Sequence, residues 1–192
     1  IGDILWSIIK SLFGVKAVGA VGSLGLYTYL YTWQMGVSLI VFIGIHEYGH
    51  LWAMKKSGIR TRGMFFIPGF GAVAVADEKF GSARNEAYIA LMGPIFGIIG
   101  FIAPMLLVFW QTGENVWAAV AGFMTLINLL NLLPVHPLDG GRVFKTLAYS
   151  KNAAVSLGII VGVSLLTAVA GIAMGFSLLV IMAVIGLWEI AT

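Results

Sequence analysis

Residues 44–52 read "GIHEYGHLW", and this stretch decides how the rest of the chain is understood. Residues four apart on a helix share a face, so His46 and His50 bring their imidazoles together and can share one ion. Glu47 follows the first histidine but lies about 100° round the helix, which suits a base acting on water rather than a further ligand. The flanks are apolar, "VSLIVFIGI" at 37–45 and "LWAM" at 51–54. Ionisable groups within such a run are costly and usually functional. A His–Glu pair that merely packs is the weaker reading of that placement. A metal site within a membrane helix is the stronger one.

Composition agrees with a membrane setting. Of 192 residues, 60% are hydrophobic and 10% charged, and the mean hydropathy is +1.00. A soluble domain carries about 25% charged residues. So apolar a chain cannot cover a core with polar surface, which leaves an integral membrane protein. With no cysteine, disulfides and thiolate ligands are excluded. The glycine pairs Gly93/Gly97, Gly158/Gly162 and Gly171/Gly175 are spaced for close helix contact.

Six segments have the apolar length of a span: 17–33, 37–54, 87–110, 116–135, 153–171 and 174–191. Ahead of them, Ile4, Leu5, Ile8, Ile9, Leu12 and Phe13 form one helical face, expected to lie along the membrane interface. Between the second and third spans, "GMFFIPGFGAVAVA" at 63–76 is divided by Pro68-Gly69 and reads as a hairpin or a pair of edge strands. The expected fold is therefore an all-α polytopic membrane protein of about six transmembrane helices. It carries a short β-hairpin and forms a single domain over 1–192, with its core motifs at 37–142. All 11 Lys and Arg residues fall before the first span or in the loops after the second and fourth. An up-and-down tracing puts them on one side, so both termini and the site opening are expected to face the cytoplasm. The net charge of +3 is thus a topology signal and points to the bilayer, not to nucleic acid. Compactness favours a prokaryotic plasma membrane.

Two histidines need a third protein ligand to make a catalytic zinc site. The candidates are Asp77, Glu78, Glu86, His136 and Asp139. With Lys55 at the interface and about 1.5 Å per residue, His50 lies roughly 7 Å and His46 roughly 13 Å deep. Asp139 directly follows the fourth span in "NLLNLLPVHPLDGGR" (128–142), whereas Asp77, Glu78 and Glu86 belong to a charged loop. Pro134 and Pro137 should break the helix there. Unwound backbone holding the Asp139 carboxylate toward the bundle interior is the expected result.

His46-Glu47-Tyr48-Gly49-His50, with Asn131-x-x-Pro134-x-x-Pro137-Leu138-Asp139-Gly140 and the intervening "GPIFG" at 93–97, resembles the site-2 protease family of intramembrane zinc metalloproteases. These landmarks cover about half the chain. Where the family often has Asn at the end of the third-span pattern, this chain has Gly97. The resemblance implies Zn2+ held by His46, His50 and Asp139, Glu47 as general base and acid, and a transmembrane protein or peptide as substrate. It implies that Asn131 bonds the substrate backbone or the developing oxyanion, and that Gly69, Phe70, Gly71, Ala72 and Val73 receive the unwound substrate by strand addition. Asn128 is expected to serve packing, as are Tyr48 and Trp52, and His136 to lie at the interface. The rival classes are a transporter using the same ligands and an inactive scaffold. A transport pathway needs no glutamate beside the first histidine, and a scaffold needs none of these groups. The residues leave oligomeric state open.

Overall fold

The fold is described from a computed structural model, which defines residues 2–69, 71–77, 81–135, 137–149, 153–175, 180–181, 183–184 and 187–188. In chain order the elements are α1 (Gly2–Leu30), α2 (Trp33–Lys56), β1 (Thr61–Ile67), β2 (Gly71–Ala76), α3 (Ala83–Gly97), α4 (Ala103–Thr112), α5 (Asn115–Asn131), α6 (Asp139–Tyr149) and α7 (Ala153–Met174). A π-helical turn, Ile98–Ile102, joins α3 to α4. The architecture is mostly helical with one two-stranded antiparallel sheet.

The motif helix α2 begins where Thr32 Oγ1 accepts from the Met35 N–H at 3.3 Å, a standard N-cap. It ends at Lys55 and Lys56, whose charges suit the negative pole of a helix. Gly58, at φ 75°, then turns the chain into the hairpin. The strands pair Met64 with Ala74 and Phe66 with Ala72, and a 2.7 Å ion pair from Arg62 Nε to Asp77 Oδ1 closes the base.

Helix α1 runs beside this hairpin from base to tip. Lys16 Nζ donates to the Arg62 carbonyl at 3.0 Å. Gly19 has no side chain because a Cβ there would run into the Phe66 carbonyl, and Pro68 would approach a Cβ on Gly22 to 3.3 Å. The Tyr27 hydroxyl lies beside the backbone at Gly69 and Gly71. From Lys16 to Leu26 the helix rises about 15 Å, so the strands extend well along the bundle. Such backbone is tolerable at membrane depth only when paired or buried in protein, and here helices line it.

Two apolar clusters fix the frame. Tyr27, Leu39, Phe42, Phe101, Ile102, Val120 and Met124 tie α1, α2, the π turn and α5 together. Ala53, Met54, Ile59 and Ile89 join α2 to α3 near the hairpin base. Helices α2 and α3 approach closely at Gly49, where a Cβ would meet the Met92 carbonyl and lie 2.9 Å from Phe96 Cβ.

Several expectations need correction. Among the described residues two helices are long and apolar enough to cross a membrane, Trp33–Lys56 and Ala83–Thr112; six spans are not reproduced. The fourth expected span ends early: α5 has 17 residues, about 25 Å of helix, because the chain breaks ahead of Pro134. The interfacial N-terminal segment and the first span form one helix, α1. Most of the last expected span, 174–191, lies outside the described residues. Gly93 and Gly97 do sit in close contacts, but Gly158 and Gly162 have nothing within 4 Å of a Cβ, so no described helix packs there.

The α1–hairpin contact predicts a contrast within one helix. Gly19→Ala should destabilise by about 1–3 kcal/mol, the usual cost of overpacking. Gly25→Ala, with nothing within 4 Å, should be neutral or slightly stabilising. Thermal unfolding in detergent reads both, and equal midpoints would refute the close approach.

Candidate metal centre

His46 and His50 project from α2 into the interior, 3% and 6% exposed, and Asp139, at 9%, meets them from the start of α6. Asp139 Oδ2 lies 3.0 Å from His46 Nε2 and 3.3 Å from His50 Nε2. The two imidazole rings are 5.0 Å apart. The unwound segment expected around Asp139 covers residues 132–135 and 137–138, and Asp139 opens a helix instead. A carboxylate suits the positive pole of α6, and Gly140 lets the turn close, since a Cβ there would strike the Leu132 and Leu133 carbonyls. Val135 and Leu138 are buried beneath it.

Hydrogen bonds on the far side of each ring fix its tautomer. His50 Nδ1 is 2.8 Å from the Ile89 carbonyl. A carbonyl only accepts, so Nδ1 carries the hydrogen. Asn128 Nδ2 donates to the Pro94 carbonyl at 3.1 Å, which turns its Oδ1 toward His46 Nδ1 at 3.2 Å. Oδ1 also only accepts, so His46 Nδ1 is the N–H. Both Nε2 lone pairs therefore face the Asp139 carboxylate. Three electron-pair donors in mutual contact need a positive charge among them.

A zinc ion fits this requirement. Tetrahedral ligands at about 2.0–2.2 Å stand roughly 3.3–3.5 Å from one another, close to the 3.0 and 3.3 Å separations observed. Space is kept on the α3 side by Gly93, where a Cβ would come within 2.8 Å of His46 Nε2 and nearer still to His50 Nε2. Glu47 offers an oxygen within 4.8 Å of both histidines' ligand atoms, so His46, Glu47 and His50 could also hold an ion. Asp139 is the better third ligand because it touches both Nε2 atoms directly. Glu47 faces the sheet as well, where its carboxylate lies near the Ala74 backbone N–H.

The other candidates fall elsewhere. Asp77 is spent on Arg62, and Glu86 sits in the first turn of α3. Glu78, His136 and Phe70 lie outside the described residues. Gly69 forms the hairpin turn, and Gly71, Ala72 and Val73 lie on β2. Tyr48 packs on Phe96, as does Trp52. Asn131 is the last residue of α5 and half-buried. It is Asn128, one turn deeper and read from the sequence as packing, that reaches the site. A polar residue inside an apolar span was the available signal.

Comparison with known proteins agrees. The profile of peptidase family M50 matches residues 34–113, which include the motif helix and Gly93–Gly97 but not Asp139. Zinc metalloprotease MJ0392 of Methanocaldococcus jannaschii is 29% identical over 120 residues, 60% of this chain and 34% of that protein. Stage IV sporulation protein FB of Bacillus subtilis is 30% identical over 115 residues, 59% of this chain and 40% of that protein. A regulator of sigma E protease from Haemophilus influenzae is 34% identical over 67 residues, covering 33% of this chain and 15% of that protein. The matches with the first two of these relatives span 34% and 40% of their lengths. The structure of a site-2 protease from Methanocaldococcus jannaschii superposes with a TM-score of 0.60 at 21% identity, covering 93% of this chain and 88% of that one, which shows a shared fold. Residues 34–113 thus match peptidase family M50, and the chain shares the fold of a site-2 protease.

Proposed function

We propose that the chain is a multi-pass intramembrane zinc endopeptidase that cuts a peptide bond in or near the transmembrane segment of a membrane protein. The observation that carries this reading is the convergence of His46, His50 and Asp139 on a space that Gly93 keeps open, with Glu47 on the same helix beside it. Bound there, zinc would polarise the scissile carbonyl and make water a nucleophile at neutral pH.

The chain's own groups supply the remaining chemistry. Glu47 takes a proton from the attacking water and passes it to the leaving amine. A helical substrate presents carbonyls that are already hydrogen-bonded, so it must first unwind. The sheet is suited to hold it. The Phe66 carbonyl on β1 is turned to α1, while the Ala74 N–H on β2 is turned to Glu47. In this register both belong to non-hydrogen-bonded pairs, which direct their polar groups outward. The β2 edge at 71–74 thus runs toward the base, and an extended substrate strand from Gly69 to Val73 would deliver its carbonyl there. Asn131, at the end of α5, would bond the substrate backbone or the oxyanion, a role that rests on the family resemblance alone.

The chain works as one membrane-embedded domain with its basic loops, termini and site opening in the cytoplasm, and a prokaryotic plasma membrane as its setting. The Haemophilus relative's name, regulator of sigma E protease, supports a substrate drawn from signalling proteins anchored in the membrane.

Cleavage of transmembrane model substrates in detergent tests the reading. Glu47→Gln should retain zinc and lose turnover by about 10²–10⁴-fold, the usual contribution of a general base. Equal cleavage by the variant would remove Glu47 from the mechanism; silence from the wild type with zinc bound would raise the transporter and scaffold readings.

The metal assignment has its own check, read as zinc per folded protein. Asp139→Asn and Gly93→Ala should both purify with less zinc than wild type, the first for want of a charged ligand and the second for want of space. Full zinc in Gly93→Ala would show that the ion lies elsewhere.

A further inference from the structure

We propose that Asn128 is the positioning residue for His46, and that position 97 is glycine because Asn128 occupies the space a side chain there would take. The inference rests on the zinc reading of the site and concerns how one ligand is aimed.

Three observations carry it. Asn128 is 3% exposed, and both ends of its amide are engaged: Nδ2 on the Pro94 carbonyl at 3.1 Å, Oδ1 at His46 Nδ1 at 3.2 Å. The Pro94 carbonyl is already an acceptor for the Ile98 N–H, so it offers Asn128 only a lone pair and leaves the amide no choice of direction. A Cβ at position 97 would lie 3.0 Å from Asn128 Oδ1 and 3.0 Å from the Phe42 ring. The Phe42 ring itself stands 6.0 Å from that of His46. An amide from α5 has therefore entered the gap between α2 and α3, and glycine is what keeps that gap open.

The consequence is a division of labour. His50 is aimed by a main-chain carbonyl of α3, which no substitution removes. His46 is aimed by a side chain from a different helix, so its orientation depends on α5 and α3 staying in register. An asparagine placed at 97 would carry its own amide oxygen two bonds beyond Cβ, to about where Asn128 Oδ1 now sits. The two positions are thus alternative sources of one acceptor, and they exclude each other.

The test reads zinc retention by the loaded, purified protein against graded chelator, with thermal midpoints measured alongside. Asn128→Leu keeps the volume but removes the acceptor, and should give up zinc at roughly 10–100-fold lower chelator, the usual effect of losing a group that orients a ligand. Gly97→Asn should weaken retention in the wild-type background and strengthen it in Asn128→Ala, whereas Gly97→Val, which fills the same space without an acceptor, should not strengthen it there. Wild-type retention by Asn128→Leu, or a Gly97→Asn effect of the same sign in both backgrounds, would overturn the proposal. Because no substrate is involved, a wild type that holds zinc yet cuts nothing defeats the endopeptidase reading and leaves this one standing.

Discussion

A lone pair or a charge in an apolar bundle needs a partner, and the surroundings of His46 and His50 are arranged around that demand. Each ring nitrogen of His46 and His50 has one. The Nδ1 atoms donate outward to Asn128 and Ile89, and the Nε2 atoms turn inward to Asp139. Because the outward partners can only accept, the inward atoms are left as bases. Hydrogen bonding at the periphery thus sets the electronic character of the centre. The same requirement explains why α2 and α3 lie so close. Carbonyl Ile89 can serve His50 only if no side chains separate the helices, and Gly49 and Gly93 remove them.

The hairpin answers the demand differently. Its two strands satisfy each other along their shared edge, and α1 receives the outward carbonyls of β1, through the Lys16 ammonium at Arg62 and a bare backbone at Gly19. The Tyr27 hydroxyl lies beside the tip. Edge groups on β2 are the part left to the site. A free strand edge is usually a hazard for aggregation; here β2 is half-buried beside α2. That placement is compatible with selecting extended backbone over intact helix, since a helix has no main-chain groups to offer the edge.

The parts of this structure that were legible in the sequence are those governed by local spacing or local cost. His46 and His50 were readable because four residues make one helical turn, and Asp139 because depth singled it out among the acids. The hairpin was readable from Pro68-Gly69 between two β-rich runs. Contacts between distant segments were not. Asn128 reads as packing because nothing in "LINLLN" says which face meets α2. The helix starting at Asp139 was hidden by two prolines and two glycines, whose effect ended one residue earlier than composition implied. Hydropathy also counted spans by apolar length, and so could not see that α5 stops at Asn131 or that the amphipathic start continues directly into α1. Gly158 and Gly162 show the limit of small-residue spacing, which permits contact without requiring a partner.

Glu47 is the point at which these two solutions meet. It lies one residue from His46, yet its carboxylate is turned from the metal pocket enough to lie near the Ala74 amide of β2. A ligand would be held among the histidines; a residue serving only the sheet would sit farther from them. Standing between, Glu47 lies within 4.8 Å of the histidine ligand atoms and beside the β2 edge. The 100° offset of neighbouring residues on a helix produces this arrangement without any further device. A single turn of α2 thereby presents two imidazoles to one side and a carboxylate to the other. The hairpin needs only to run alongside that turn for the scissile bond to be brought between them.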